Sequence, residues 1–144
     1  SVEERFRAEA LAAVALGYSN SGLTEEAAGM VEKLEACARA LEEPRAKAEA
    51  LAAAASVQAR AGNKDAAAGL LADASAAAKN VERSESKAYA IVAVAEAMVL
   101  NGSTKAALGL LKEAEKAADK VSDAELRQAA LDKVRGLMKQ LEKK

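Results

Sequence analysis

Apolar and polar positions along this chain repeat every 40 residues without a gap. Leu11, Leu51, Ile91 and Leu131 share one column of the repeat, and Val14, Ala54, Val94 and Val134 a second. Val31, Leu71 and Leu111 form a third, and Leu41, Val81 and Val121 close each unit. Self-similarity at a period of a few tens of residues marks stacked supersecondary units. Glycines keep the same step, at Gly22, Gly62 and Gly102 and again at Gly29, Gly69 and Gly109. Each unit predicts two helices: the first over about 4–21, 45–61 and 85–100, the second over about 24–42, 64–81 and 104–121. The leading glycine of each unit suits the left-handed conformation that ends a helix. Thr24, Asn63 and Ser103 stand where an N-cap would start the second helix. Glu25, Glu26 and Asp65 follow in the first turn, where they complement the helix dipole. Pro44 stands where a helix begins, and Ser122 with Glu125 forms a capping-box pattern opening a seventh helix over 124–142.

The predicted fold is therefore all-α, an α-solenoid of three 40-residue helix–turn–helix repeats (5–44, 45–84 and 85–124) with a C-terminal capping helix (124–142). Its seven helices make one domain over 1–144. Eight columns do not vary between the repeats: those of Ala8, Ala10, Ala13, Ala15, Gly22, Ala27, Gly29 and Ala38. The Gly29 column lies inside a helix, where glycine costs about 1 kcal/mol against alanine. Its retention predicts close backbone approach, with Gly69 at a helix–helix contact. In the last helix the columns of Ala12, Ala13 and Ala15 become Asp132, Lys133 and Arg135, as a solenoid end exposed to water requires. Leu131, Val134, Met138 and Leu141 remain to pack back on the third repeat.

Composition agrees. Of 144 residues 40 are alanine, the best helix former, and only Phe6, Tyr18 and Tyr89 are aromatic. With 21 basic against 22 acidic residues there is no positive excess for nucleic acid and no polybasic cluster for an anionic membrane. Apolar runs such as Ala50–Val57 are far too short to span a bilayer. Ser1–Arg5 is polar and resembles no signal peptide. A soluble protein is expected, cytoplasmic if expressed in a cell. The chain has no histidine, which removes the commonest general base and zinc ligand. Cys37 aligns with Ala77 and Ala117 and reads as a small buried residue with no activating neighbour. Glu25-Glu26 and Glu42-Glu43 read as solvated helix ends. No catalytic residue, metal site or cofactor is expected, and the chain is read as no enzyme.

The columns also resemble the tetratricopeptide repeat. Leu11, Val14-Ala15, Tyr18, Gly22, Ala27 and Val31 follow that family's large and small positions in order and spacing, and Ile91, Val94-Ala95, Met98, Gly102, Ala107, Leu111 and Ala114 do so again. The family's usual period is shorter and its aromatics are nearly missing here. The gap-free spacing and alanine-rich packing equally resemble a designed, de novo helical repeat protein. The family binds extended or helical peptides in a groove lined by its first helices. Carried over, that face would include Leu16, Asn20, Glu49, Ser56, Arg60, Tyr89, Val92, Glu96, Val99 and Leu100; Tyr18 stands in a column the family uses mostly for packing. Tyr89, Val92, Val99 and Leu100 would form its apolar strip, suited to a peptide, a helix or self-association. The middle unit, with alanine at 52–55 and at Ala66, Ala67, Ala68, Ala72 and Ala74, predicts close helix approach or room for a ligand near Ser56, Gln58, Ser75 and Tyr18. Two readings stand: a non-catalytic scaffold or binding module, and a designed fold with no natural function or ligand.

Overall fold

The computed structural model describes residues 1–143, and in them the chain forms seven α-helices and no strand. They are α1 (Val2–Asn20), α2 (Thr24–Ala40), α3 (Pro44–Arg60), α4 (Lys64–Lys79), α5 (Ser84–Leu100), α6 (Thr104–Asp119) and α7 (Ala124–Glu142). The three turns inside the repeats are alike because each has glycine at the same place. Gly22, Gly62 and Gly102 hold φ of 79°, 85° and 79°. The residue after each glycine donates its N–H five residues back, as from Leu23 to the Tyr18 oxygen at 2.9 Å and from Ser103 to the Met98 oxygen at 2.8 Å. This satisfies carbonyls that a helix end otherwise leaves free.

Helix starts differ from the sequence pattern. Thr24 is already helical, and Leu23 precedes it with no side-chain cap. Asn63 and Ser103 do occupy N-cap positions, but with ψ of 69° and 54° their side chains make no cap bond. The Asn63 amide instead donates to Gln58 Oε1 at 2.8 Å. At α7 the cap slips by one residue: Asp123, not Ser122, accepts the Leu126 N–H, at 2.9 Å. Glu43 caps α3 in the same way, ahead of Pro44 in its first turn.

Two layers result. α1, α3, α5 and α7 lie side by side in one layer, each of α2, α4 and α6 packing on the first helix of its own unit and of the next. Each second helix buries one stripe at alternating spacings of three and four, as with Ala27, Val31, Leu34 and Ala38 in α2. Four of the invariant columns, those of Ala8, Ala15, Ala27 and Ala38, are buried in all three units. Leu34, Leu51, Ile91 and Leu111 are the largest fully buried side chains, each contributing about 1.5–3 kcal/mol by leaving water. Neighbouring first helices bring Cα atoms within 8 Å of one another, whereas the backbones of α2, α4 and α6 stay farther apart. The array therefore curves, with the first helices inside. Across its outer side Arg39 of α2 reaches Asp73 of α4 at 2.8 Å.

The Gly29 column corrects an expectation. A Cβ built on Gly29, Gly69 or Gly109 meets nothing within 4 Å. All three glycines are exposed on outer helices. Close approach is made by alanine on the inner helices, and nothing in the structure requires glycine on the outer ones. Alanine also closes the middle unit. Ala52, Ala53, Ala54 and Ala55 are buried where α3 meets α1, α2, α4 and α5. On α4, by contrast, Ala66, Ala68 and Ala72 face solvent.

Candidate binding face

The inner face of the first helices is closed along much of its length, and the reason is the same alanine packing. Val92, expected at the centre of an apolar strip, is 2% exposed and belongs to the core. Val99 is half-buried against that core. Tyr89 packs on a second cluster formed by Ala88, Ala117, Ala118, Ala130 and Leu131. Leu100 alone of the four lies open, at the C-terminal end of α5. The strip is thus interrupted: small side chains let adjacent inner helices approach until the columns between them leave the surface.

Polar members of the face are engaged locally. Ser56 is buried and donates to the Ala52 carbonyl of its own helix at 3.0 Å. Gln58 accepts from Asn63, so the polar groups of the middle unit do not converge on a shared space. Glu49 and Tyr89 are linked through Arg45, which pairs with Glu49 at 3.3 Å and lies 5.8 Å from the Tyr89 ring centroid. Asn20, Arg60 and Glu96 are exposed, Asn20 and Arg60 ending their helices. Cys37 is half-buried against the core. Among the described residues no group of three or more metal-ligating side chains converges, and no helix is long and apolar enough to cross a membrane.

One part of the inner face stays open. Between α1 and α3 runs a groove of about 330 Å³ whose floor includes Ala12, Leu16 and Ala53. Arg5, Glu9 and Glu49 stand along it. Arg5 pairs with Glu9 at 3.7 Å, so charge along the groove is largely balanced. Leu16 and Glu49 are thus brought together by the fold, whereas the other proposed residues are distributed along the array. Farther along, the Leu16 column holds buried Ser56 and then exposed Glu96, so its apolar character is confined to this end.

The column pattern left a second open surface unread. Phe6, Val14 and Tyr18 all point outward from α1 and rank among the exposed large apolar side chains. In α3 and α5 the Val14 column is Ala54 and Val94, both fully buried. The signal available was an absence: α7 turns polar at its open side, and α1 does not.

Compared with protein-family models, with curated proteins and with solved structures, the chain gives no match.

Proposed function

We propose that this chain is a non-catalytic helical-repeat scaffold, tetratricopeptide-like in its columns and designed in origin, that takes an apolar peptide or amphipathic helix in the groove between α1 and α3. The observation that carries this is Leu16. It is half-buried and, with Ala12 and Ala53, lines a concave space of about 330 Å³. Grooves of this kind hold the apolar anchors of a helix or extended peptide, with charged rims setting orientation. Non-catalytic character is supported by the absence of histidine from the sequence and by the pairing of Glu9 and Glu49 with arginines. The gap-free period and forty alanines support a designed origin.

The test is fluorescence anisotropy with a labelled amphipathic helical peptide of leucine and lysine. Saturable binding is expected, weakened at least about tenfold by Leu16→Glu, equivalent to about 1.4 kcal/mol, and unaffected by Leu100→Glu. Absence of saturable binding would favour the second reading, a designed fold with no ligand, which the burial of Val92 and the broken strip also support.

A further inference from the structure

Asparagine followed by glycine occurs once in the chain, at Asn101–Gly102, where α5 turns toward α6. The other asparagines, Asn20, Asn63 and Asn80, precede Ser21, Lys64 and Val81. A backbone nitrogen can attack the carboxamide of the residue before it, and glycine, with no Cβ, leaves that nitrogen open to do so. Chemistry therefore favours Asn101, and the fold reverses the order. Asn20, Asn63 and Asn80 are exposed, whereas Asn101 is only 7% exposed. Its Nδ2 donates to the Lys64 carbonyl at the start of α4, at 3.2 Å. Its Oδ1 meets no donor among the described residues, so a single hydrogen bond holds the carboxamide. The Gly102 N–H donates to the Val99 carbonyl at 3.0 Å. With ψ of 10° at Asn101, the Gly102 nitrogen is turned away from the side chain. The Lys64 ammonium lies over Gly102, 3.2 Å from the place a Cβ would take. The turn of the third unit is thus seated on the turn of the second. The first and second units have Ser21 and Ala61 in the Asn101 column, so neither sets a carboxamide there.

We propose that Asn101 is a deamidation site gated by this seat, and that it reacts only while the α5–α6 turn is lifted off the start of α4. Lifting frees the Gly102 N–H and the carboxamide together and lets the Asn101 Cα–C bond rotate. The Gly102 nitrogen gives its proton to hydroxide and bonds to Asn101 Cγ. The Cγ–Nδ2 bond breaks, and Nδ2 leaves as ammonia, taking a proton from water. Water then adds to either carbonyl of the resulting succinimide and opens it to aspartate or to isoaspartate. The sum consumes one water and releases one ammonia, with no change of oxidation state. The product has no side-chain N–H for the Lys64 carbonyl, so the tie between the two turns is lost. One hydrogen bond and the turn's own backbone bonds oppose lifting, and such segments open at lower cost than the whole fold. The modification therefore records how often the turn of the third unit leaves the second.

Trypsin places each of the four asparagines on its own peptide, Asn101 on residues 88–105. The full chain is held in mildly alkaline buffer, folded or in urea above its transition, and conversion of each peptide is followed by mass spectrometry. In urea, Asn101 is expected to convert at least about tenfold faster than Asn20, Asn63 or Asn80. In the folded chain its rate should drop at least about tenfold. In urea below the transition, the logarithm of the Asn101 rate should rise less steeply than the unfolding m value requires, because the turn exposes less surface than the whole chain. A slope equal to m would mean that only global unfolding opens the site, which overturns the local gate. Equal rates in the folded and unfolded chain would show that the seat protects nothing, and overturn it too. No conversion of Asn101 in urea would remove the site altogether. None of these outcomes bears on the Leu16 groove.

Discussion

The Arg45 guanidinium lies over the Tyr89 ring, 5.8 Å from its centroid, and ties α3 to α5. The same arginine reaches Ser86 Oγ at 3.3 Å and Glu49 at 3.3 Å, so it joins two units and fixes a carboxylate beside them. A half-buried cation over an aromatic face contributes about 0.5–1 kcal/mol. A double-mutant cycle on Arg45→Ala and Tyr89→Leu, read by urea denaturation, should give a coupling of about 0.5–1 kcal/mol. Coupling indistinguishable from zero would mean that Tyr89 is held by its alanine and leucine neighbours alone.

Two glycines seven residues apart should respond in opposite directions. Gly62 holds φ of 85°, which a Cβ disfavours. Gly62→Ala should destabilise by about 1 kcal/mol or more. Gly69 is an exposed residue inside α4 with nothing within 4 Å of a built Cβ. Gly69→Ala should stabilise by about 0.5–1 kcal/mol, since alanine restricts the unfolded chain and favours helix. Thermal melts of the two variants decide it, and a loss of stability at Gly69 would mean that its backbone approaches something after all.

The middle unit makes a third test. Ala54 is fully buried, in the column that holds Val14 and Val94. Ala54→Leu should destabilise by about 1–3 kcal/mol, because inner helices packed on alanine have no room for three further carbons. A melt equal to wild type would reveal unfilled space around α3.

Much of the fold was legible because a gap-free period specifies neighbours as well as elements. The glycines at 22, 62 and 102 place every turn inside the repeats, and Asp132, Lys133 and Arg135 mark the end of the stack. Cap chemistry was less legible. Ser122 and Asp123 are both good cap residues, and only the backbone decides which one faces the Leu126 N–H. The binding face was least legible. Whether Val92 is core or surface depends on how near α3 and α5 come, and that distance is set by alanine against alanine across units rather than by any one column. Phe6 and Val14 present the reverse problem. The Val14 column is core later on, at Ala54, Val94 and Val134, and the Phe6 column is buried at Ala46, yet both side chains are exposed on α1.

The inner helices bring Cα atoms within 8 Å of one another and the outer ones do not, so the two sides of the array are packed differently. Squeezing the inner side compresses a row of buried alanines, and dense interiors resist such compression. Between α2 and α4 the Arg39–Asp73 ion pair is exposed, weak and screened by salt, so each outer helix is held chiefly by its packing on two inner helices. Bending that spreads α2, α4 and α6 therefore has to loosen the seat of each on the first helix of the next unit, so the interlocked layers resist it.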